Sequence, residues 1–227
     1  MPEAPLAPLS WLLIVVAYLL GSLSGGRLLG RWRGIAATPV DLGEHDLREH
    51  DDGKADAANT SQPGGFWFAA GVVLIDVAKG ALAAWLALRY APVASGLSVT
   101  GHGYLAAFAA ILGHVWPLWH RFRGGKGAAT LVGGLLVLWP FALPVLVAAW
   151  FLVVIVSGHV GLATVLAAAA LPLLAGWSAA GTPRWWFACA VLVLLVFTHR
   201  DHLTRLHAGT ESRFARARWL HRFRRRG

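Results

Sequence analysis

Charged residues are scarce in this chain of 227 residues, since only 14% are Asp, Glu, Lys or Arg while 57% are hydrophobic. Soluble domains usually carry about a quarter charged residues. The scarcity of charge excludes an ordinary water-exposed globular surface and predicts an integral membrane protein. The length is enough for one compact bundle of helices rather than for several domains.

Cysteine and N-terminal basic residues are also nearly absent. The single cysteine, Cys189, lies within an apolar run, so no internal disulfide can form and we expect inert packing at this position. Residues 1–10 contain no Lys or Arg. Because a secretory signal peptide begins with a basic segment, this absence argues against a cleaved signal peptide.

Metal-binding spacings are missing as well. Histidines and acidic residues cluster only in a polar loop, and their spacing matches no closed metal site. We therefore expect no metal and no cofactor, and interpret the cluster as part of a solvated loop. Its members are His45, Asp46, His50, Asp51 and Asp52.

Long apolar runs, in contrast, are abundant. A membrane-spanning helix needs about 20 mainly apolar residues. The run 128–156 is too long for one span and contains Pro140 and Pro144, so we interpret it as two short helices hinged at the prolines. The sequence predicts an all-α integral membrane protein with about seven transmembrane helices. They lie near residues 9–29, 66–88, 97–118, 128–156 (two), 160–174 and 185–197.

Basic residues indicate the orientation of these helices. They follow the first, third and last predicted spans, and an excess of Lys and Arg marks cytoplasmic flanks. With seven spans, all of these flanks lie on one side, which places the N-terminus outside and the C-terminus in the cytoplasm. We expect a single membrane domain at 1–199 with a cytoplasmic loop at 31–64, and a basic cytoplasmic tail at 200–227.

The net charge of +9 is therefore mainly a topology signal. Trp219, Leu220 and Phe223 are interleaved with the arginines of the tail. This pattern favours a tail on the membrane surface in contact with anionic lipids, and we expect no nucleic-acid partner.

A glycine-rich segment follows the third predicted span. Gly124, Gly125, Lys126 and Gly127 precede the apolar run that begins near Thr130. Exposed amides, a helix N-terminus and a lysine together suit a phosphate. The segment is not a P-loop, because the upstream glycine and the following Ser or Thr are replaced by His120 and Gly127. The alternative is a tight turn with a lysine that only fixes topology.

Charged and polar residues also interrupt the apolar runs. Asp76 and Lys79 share a helix face and are either functional or a buried structural pair. The small residues around Ser22 favour helix packing, with close approach to a ligand as the alternative. His199 is either a general base or phosphate donor, or an interfacial anchor.

Several motifs recur in order along the chain. They are GSLSGGRLLG at 21–30, DLR at 46–48 followed by Gly53 and Asn59, DVAKG at 76–80, GHVWP at 113–117, FRGGKGAAT at 122–130 and HRD at 199–201. In this combination the sequence resembles the PlsY-type acyl-phosphate-dependent glycerol-3-phosphate acyltransferases of bacteria. The motif at 122–130 is long and specific to that resemblance.

The resemblance implies a seven-span enzyme of the bacterial inner membrane. Such enzymes transfer a fatty acyl group from acyl phosphate to the 1-hydroxyl of glycerol 3-phosphate, without a metal or a covalent acyl-enzyme. The two substrates and membrane lipids are the implied partners. His199 and His202 are the implied catalytic residues. The implied substrate or phosphate ligands are Ser22, Arg48, Gly53, Asn59, Lys79, His114, Gly124, Gly125, Lys126, Gly127 and Thr130.

The sequence departs from the family pattern mainly in the loop at 31–64. The family's S-G-N is Asp52-Gly53-Lys54 here, and a family arginine falls at Gln62. A carboxylate beside phosphate repels it, so these changes weaken binding unless Lys54 compensates. The closing asparagine is His202, and the opening proline is Ser24.

Two other functions remain as alternatives. One is a divergent paralogue that binds lipid or acyl phosphate, or that acylates another acceptor. The other is a transporter, which is disfavoured because the sequence has no inverted repeat and because only Asp76 and Lys79 place charge within a span.

Overall fold

The structure is a computed structural model that describes residues 7–32, 65–92 and 97–212. Within these ranges every regular element is helical, which confirms the all-α prediction. The helices are α1 Ala7–Gly21, α2 Gly25–Trp32, α3 Gly65–Tyr90, α4 Val99–Val115, α5 Ala128–Leu138, α6 Ala142–Ser157, α7 Val160–Ala179, α8 Pro183–Thr198 and α9 Arg200–His207, with a short 3-10 turn at Leu118–His120.

Two of the described helices are individually long and apolar enough to cross a membrane, namely α3 over Phe66–Tyr90 and α7 over Val160–Trp177. Two bent pairs, α1 with α2 and α8 with α9, raise the number to four if each pair is one span. Helices α5 and α6 are apolar but shorter, as expected of short spans.

The helix boundaries differ from the predicted spans at both ends of the chain. The predicted first span is two helices, which meet at residues 22–24 with a bend of 55°. At the other end of the chain, α8 is followed by α9 after a bend of 58°. Helix α9 occupies the start of the predicted tail. The run at 128–156 is interrupted near Pro140, as predicted, while Pro144 lies in the first turn of α6 rather than at the break.

The helices group into two compact units, Met1–Pro140 and Phe141–Gly227. In the first unit α4 packs against α1, α3 and α5, while α3 also contacts α1, α2 and α5. In the second unit α7 packs between α6 and α8, and α9 contacts α7 and α8.

Small residues allow the helices of the first unit to approach closely. A core of alanines lies between α1, α3 and α4, formed by Ala17, Ala83, Ala87, Ala106, Ala109 and Ala110. At the crossing of α1 and α4, a Cβ on Gly21 would overlap the carbonyl group of Ala110. Such contacts are typical of helices that associate in lipid, where close packing replaces the hydrophobic effect.

Candidate functional site

A cleft opens in the first unit where α1 ends and α2 begins. Its other walls come from the middle of α3, the end of α4 and the loop after α4. About 420 Å³ of space lies between these walls, the open mouth included. The lining residues are Gly21, Ser22, Leu23, Ser24, Gly25, Gly26, Val72, Asp76, Lys79, His114, Pro117, His120, Arg123, Gly124 and Gly125.

Lys79 lies at the inner wall of the cleft and is only 6% exposed. Its ammonium nitrogen is 2.7 Å from Asp76 Oδ1 and donates to the carbonyl oxygen of Leu23 at 2.9 Å. It also lies 2.7 Å from Nδ1 of His114. An ammonium group has three N–H donors, and Lys79 has an acceptor nearby for each of them.

The contact with Lys79 orients the ring of His114. Because an ammonium group can only donate, Nδ1 is the acceptor in this contact, which leaves Nε2 as the ring nitrogen that carries a proton. The same Nδ1 lies 3.6 Å from Asp76 Oδ1. The ring points Nε2 at Gly125, where an added Cβ would overlap it. The buried pair thus presents an N–H donor of His114 beside the glycine-rich loop.

The loop between α4 and α5 has an unusual backbone. Arg121 and Phe122 both have left-handed conformations, with φ of 54° and 59°. Non-glycine residues adopt this region rarely, and strain of this kind persists only where the surroundings enforce it. Here the carbonyl oxygen of Pro117 accepts from the N–H groups of His120 and Phe122, each at 3.1 Å. The turn therefore places Arg123 and Gly124 in the lining of the cleft.

Glycine is required in this loop because the loop backbone passes close to the end of α4. A Cβ at Gly124 would overlap the carbonyl oxygen of His114 and would lie 2.6 Å from Pro117 Cδ. The N–H of Gly125 donates to the same carbonyl at 3.1 Å. Gly127 has φ of 90° and precedes the first residue of α5. Helix α5 therefore begins directly after the glycines, as predicted.

Ser22 connects the end of α1 to the same loop. Its side chain is fully buried, and its hydroxyl donates to the carbonyl oxygen of Tyr18 at 2.9 Å. The hydroxyl oxygen accepts from the N–H of Leu118 at 3.4 Å, and Tyr18 itself donates to the carbonyl oxygen of Trp116 at 2.6 Å. In this structure Ser22 therefore holds the loop against α1.

The cleft brings together part of the predicted site. Ser22, Lys79, His114, Gly124 and Gly125 all line it. Lys126 and Gly127 follow directly in the chain, and Lys126 is half-buried. Of the remaining predicted ligands, Arg48, Gly53 and Asn59 lie outside the described residues.

Thr130 occupies a different position from the other predicted ligands. It is fully buried in α5, and its carbonyl group lies where a Cβ on Gly80 of α3 would stand. Its place in the structure is the crossing of α3 and α5 rather than the lining of the cleft.

The predicted catalytic histidines belong to the second unit. His199 is 1% exposed, and its Nδ1 donates to the carbonyl oxygen of Leu195 at 2.9 Å. His202 is 8% exposed, and its Nδ1 lies 2.7 Å from Oε1 of Glu211. The two rings are neighbours, with centroids 5.9 Å apart.

Sequence reasoning did not assign a site role to Arg123 or Glu211. Arg123 is one of the basic residues that follow the third predicted span, and the structure places it in the lining of the cleft, directly before Gly124. Glu211 was not singled out, because nothing in the local pattern connects it with His202. That contact depends on the turn after α9.

Lys79→Met is expected to destabilise the folded protein by about 3–5 kcal/mol, because it leaves the buried Asp76 carboxylate without its partner. Unfolding in detergent, followed by circular dichroism, measures this loss. The double variant Asp76→Asn with Lys79→Met removes both charges and serves as the control. It should be more stable than Lys79→Met alone, and equal stabilities would contradict the ion pair.

Comparison with known proteins identifies relatives of this chain. Residues 11–209 match the model of the family described as glycerol-3-phosphate acyltransferase. The chain is 41% identical to the glycerol-3-phosphate acyltransferase of Nitrobacter winogradskyi over 198 residues, covering 86% of this chain and 91% of the relative. It is 37% identical to that of Actinobacillus pleuropneumoniae over 202 residues, covering 88% and 94% of the two chains.

A solved structure shares the fold. The crystal structure of PlsY, an integral membrane glycerol 3-phosphate acyltransferase, in its glycerol 3-phosphate form superposes with a TM-score of 0.71 at 26% identity. The match covers 93% of this chain and 98% of PlsY. The resemblance inferred from the motifs is thereby confirmed, and the chain belongs to the glycerol-3-phosphate acyltransferase family.

Proposed function

We propose that this protein transfers a fatty acyl group from acyl phosphate to the 1-hydroxyl of glycerol 3-phosphate, giving lysophosphatidic acid for phospholipid synthesis. The observation that carries the proposal is the cleft in which His114, held by Lys79, faces the loop of Gly124 and Gly125 next to Lys126. Family membership supports the same reaction.

The chemistry of the cleft suits phosphate anions. Arg123 lines it, Lys126 adjoins it, and the N-terminus of α5 begins just beyond Gly127. Cations and a helix N-terminus together attract phosphate and stabilise charge that develops in a transition state. Because Lys79 is already surrounded by acceptors, its contribution passes through His114.

The transfer itself needs no covalent enzyme intermediate. The acceptor oxygen bonds to the acyl carbon, the bond from this carbon to the phosphate oxygen breaks, and phosphate leaves with the electron pair. Acyl phosphate is already activated, so positioning and anion stabilisation supply much of the rate. His199 and His202 are the proposed catalytic groups, and their proposed role is to accept the proton of the acceptor hydroxyl. Arg48, Gly53 and Asn59 are the proposed ligands from the loop at 31–64.

We also propose a topology of about seven transmembrane helices in the bacterial inner membrane, with residues 1–199 as the membrane domain. The N-terminus lies outside, while the loop 31–64 and the tail 200–227 lie in the cytoplasm. Reporters attached at Met1 of the full chain and after Arg200 test this arrangement. A cytoplasmic reporter should be active only at the second fusion, and equal activity at both would contradict an odd number of spans.

The test of the reaction is an assay of detergent-solubilised protein with palmitoyl phosphate and radiolabelled glycerol 3-phosphate. The expected product is lysophosphatidic acid, formed together with one equivalent of phosphate. Palmitoyl-CoA as donor and glycerol as acceptor are the matched controls, and neither should support turnover. Equal rates with palmitoyl-CoA would contradict the proposed donor.

One observation favours a second candidate function. The loop at 31–64 carries Asp52 and Gln62 where the family pattern has serine and arginine. A divergent member with these changes binds acyl phosphate but transfers its acyl group to another acceptor, or to none. Folded protein that binds palmitoyl phosphate without acylating glycerol 3-phosphate would identify this case.

A further inference from the structure

The ammonium group of Lys79 joins three parts of the first unit. Its acceptors are Oδ1 of Asp76 on the same helix, the carbonyl oxygen of Leu23 between α1 and α2, and Nδ1 of His114 near the end of α4, at 2.7, 2.9 and 2.7 Å. An ammonium group has three N–H donors, and this geometry uses all of them. Lys79 therefore has no donor left for a substrate in the cleft.

Asp76 holds this ammonium group in place. Its side chain is 11% exposed, and Oδ1 lies 2.7 Å from Lys79 Nζ and 3.6 Å from His114 Nδ1. A Cβ on Gly25, the first residue of α2, would lie 3.3 Å from the same oxygen. Helix α2 thus passes close to the carboxylate. Because a nearby carboxylate favours the charged form of a lysine, Asp76 keeps Lys79 a donor.

The ring of His114 then presents a defined nitrogen to the cleft. Nδ1 accepts from Lys79, so the neutral ring carries its proton on Nε2. Within the part of the chain that the structure describes, Nε2 has no hydrogen-bond partner, and it lies against Gly125 in the lining of the cleft. A neutral histidine can carry its proton on either nitrogen. Here the contact with Lys79 selects one of the two tautomers.

A structural ion pair does not account for this histidine. Such a pair needs only Asp76 and Lys79. The third donor of Lys79 goes instead to a ring nitrogen, and that ring adjoins the loop of Gly124 and Gly125, where phosphate is proposed to bind. An ion pair alone has no consequence for the proton on Nε2, whereas this chain of contacts determines it.

We propose that Asp76 and Lys79 are positioning residues that hold His114 in the tautomer with its proton on Nε2, and that this N–H donates a hydrogen bond to a phosphate oxygen of a substrate. The inference rests on the proposed function. As the acceptor oxygen bonds to the acyl carbon, phosphate leaves with the electron pair of the broken bond. The proton stays on Nε2 throughout and stabilises the phosphate charge. Asp76 and Lys79 touch no substrate.

Both substrates carry a phosphate, and the kinetics of His114→Leu in the full-length protein distinguish them. If the N–H contacts the departing phosphate, kcat should fall about 100-fold while KM for glycerol 3-phosphate stays within about twofold. If it contacts the phosphate of glycerol 3-phosphate, the loss should appear mainly as a higher KM for that substrate. His114→Gln retains an N–H donor in its amide and should recover part of the loss in either case.

The double variant Asp76→Asn with Lys79→Met tests the positioning residues without leaving a buried charge. The ring is then neither oriented nor restricted to one tautomer, so kcat/KM should fall about tenfold at about pH 8. At about pH 6 the ring becomes protonated on both nitrogens, which restores the donor. The loss relative to the wild-type protein should therefore shrink on acidification.

The other titratable groups near the ring do not affect this comparison. Asp76 and Lys79 are the charged groups that face the ring from α3, and His120 and Arg123 line the same cleft from the loop after α4. His120 and Arg123 are present in both proteins, and so is the titration of the substrate phosphates. Their effects cancel in the ratio of the double variant to the wild-type protein at each pH.

The same double change in a His114→Gln background separates positioning from folding. A glutamine amide has no tautomers, so the change should alter kcat/KM by less than about threefold there, without recovery in acid. His102→Gln is the matched control, because it replaces another buried histidine of α4 outside the lining of the cleft. It should leave kcat and KM unchanged.

Three results would overturn the inference. They are an equal loss from the double change in both backgrounds, no loss in the native background, and a loss that is the same at both pH values. Should the double variant not fold, His114→Leu and His114→Gln carry the test. Equal kinetics of these two folded variants would contradict an N–H donor at position 114.

The outcome is distinguishable from a failure of the proposed function. Wild-type turnover that His114→Leu leaves unchanged removes only the donor and its positioning residues. Absence of turnover from the folded wild-type protein removes the proposed reaction, and this inference with it.

Discussion

Lys126→Ala is expected to lower kcat/KM for acyl transfer by about 100- to 1000-fold, which is the usual effect of removing one group that stabilises anionic charge in a transition state. Lys126 is half-buried directly after Gly124 and Gly125, which line the cleft. Gly127 follows Lys126 and directly precedes the first residue of α5. Lys126→Ala removes a full positive charge from this loop.

Two variants act as controls for this change. Lys126→Arg keeps the charge and should retain more activity than Lys126→Ala. Arg89→Ala removes an exposed cation that stacks on Tyr90 at the end of α3, and it should leave kcat/KM unchanged. Both alanine variants should insert into membranes and elute as monodisperse protein. Normal activity of Lys126→Ala would refute a phosphate site at this loop.

Gly125→Ala is expected to lower kcat/KM about 100-fold, because a displacement of about 1 Å in a catalytic group has this effect. The new methyl group would overlap Nε2 of His114 and lie 3.0 Å from its Cε1. The ring cannot rotate freely, since Lys79 holds its Nδ1 at 2.7 Å. Either the ring or the loop must therefore move, and the N–H donor at Nε2 of His114 is displaced.

Gly176→Ala is the matched control for added volume at a glycine. Its Cβ would meet Trp185 Nε1 at 3.4 Å, an ordinary contact, in the last turn of α7. Alanine favours a helix over glycine by about 0.5–1 kcal/mol, so this variant should be fully active and slightly more stable. Steady-state kinetics and thermal unfolding of both variants give the comparison. Full activity of Gly125→Ala would contradict the position of His114.

Composition and hydrophobic runs were sufficient to predict an all-helical protein with apolar helices. The pattern of Gly124 to Gly127 before an apolar run also predicted the start of α5. Both predictions depend on local properties, namely apolar length and the conformational freedom of glycine. Local properties are expressed directly in the sequence, so they could be predicted without coordinates.

The bend between α1 and α2 could not be predicted in the same way. The apolar run from Leu9 to Leu29 continues across it, and small residues there are equally compatible with a straight, closely packed helix. The contact of Gly21 with Ala110, and that of Gly113 with Tyr18, exist only once α1 packs on α4. The bend opens the cleft, so its position depends on tertiary packing.

The contacts between buried polar groups likewise could not be predicted from the sequence pattern. Asp76 and Lys79 are neighbours on one helix and their pairing was foreseen as an alternative, but His114 lies 35 residues beyond Lys79 and joins them only through the packing of α3 on α4. The burial of Thr130 against Gly80 has the same origin. Helix propensity and motif spacing contain no information on such contacts.

The most direct test of the central claim is the initial rate of lysophosphatidic acid formation by the wild-type protein from palmitoyl phosphate and glycerol 3-phosphate. We predict saturable turnover that releases one phosphate per product and that falls by at least about 100-fold in Lys126→Ala. No product from folded, monodisperse wild-type protein would contradict the claim, and would make Asp52 and Gln62 the residues that removed the reaction.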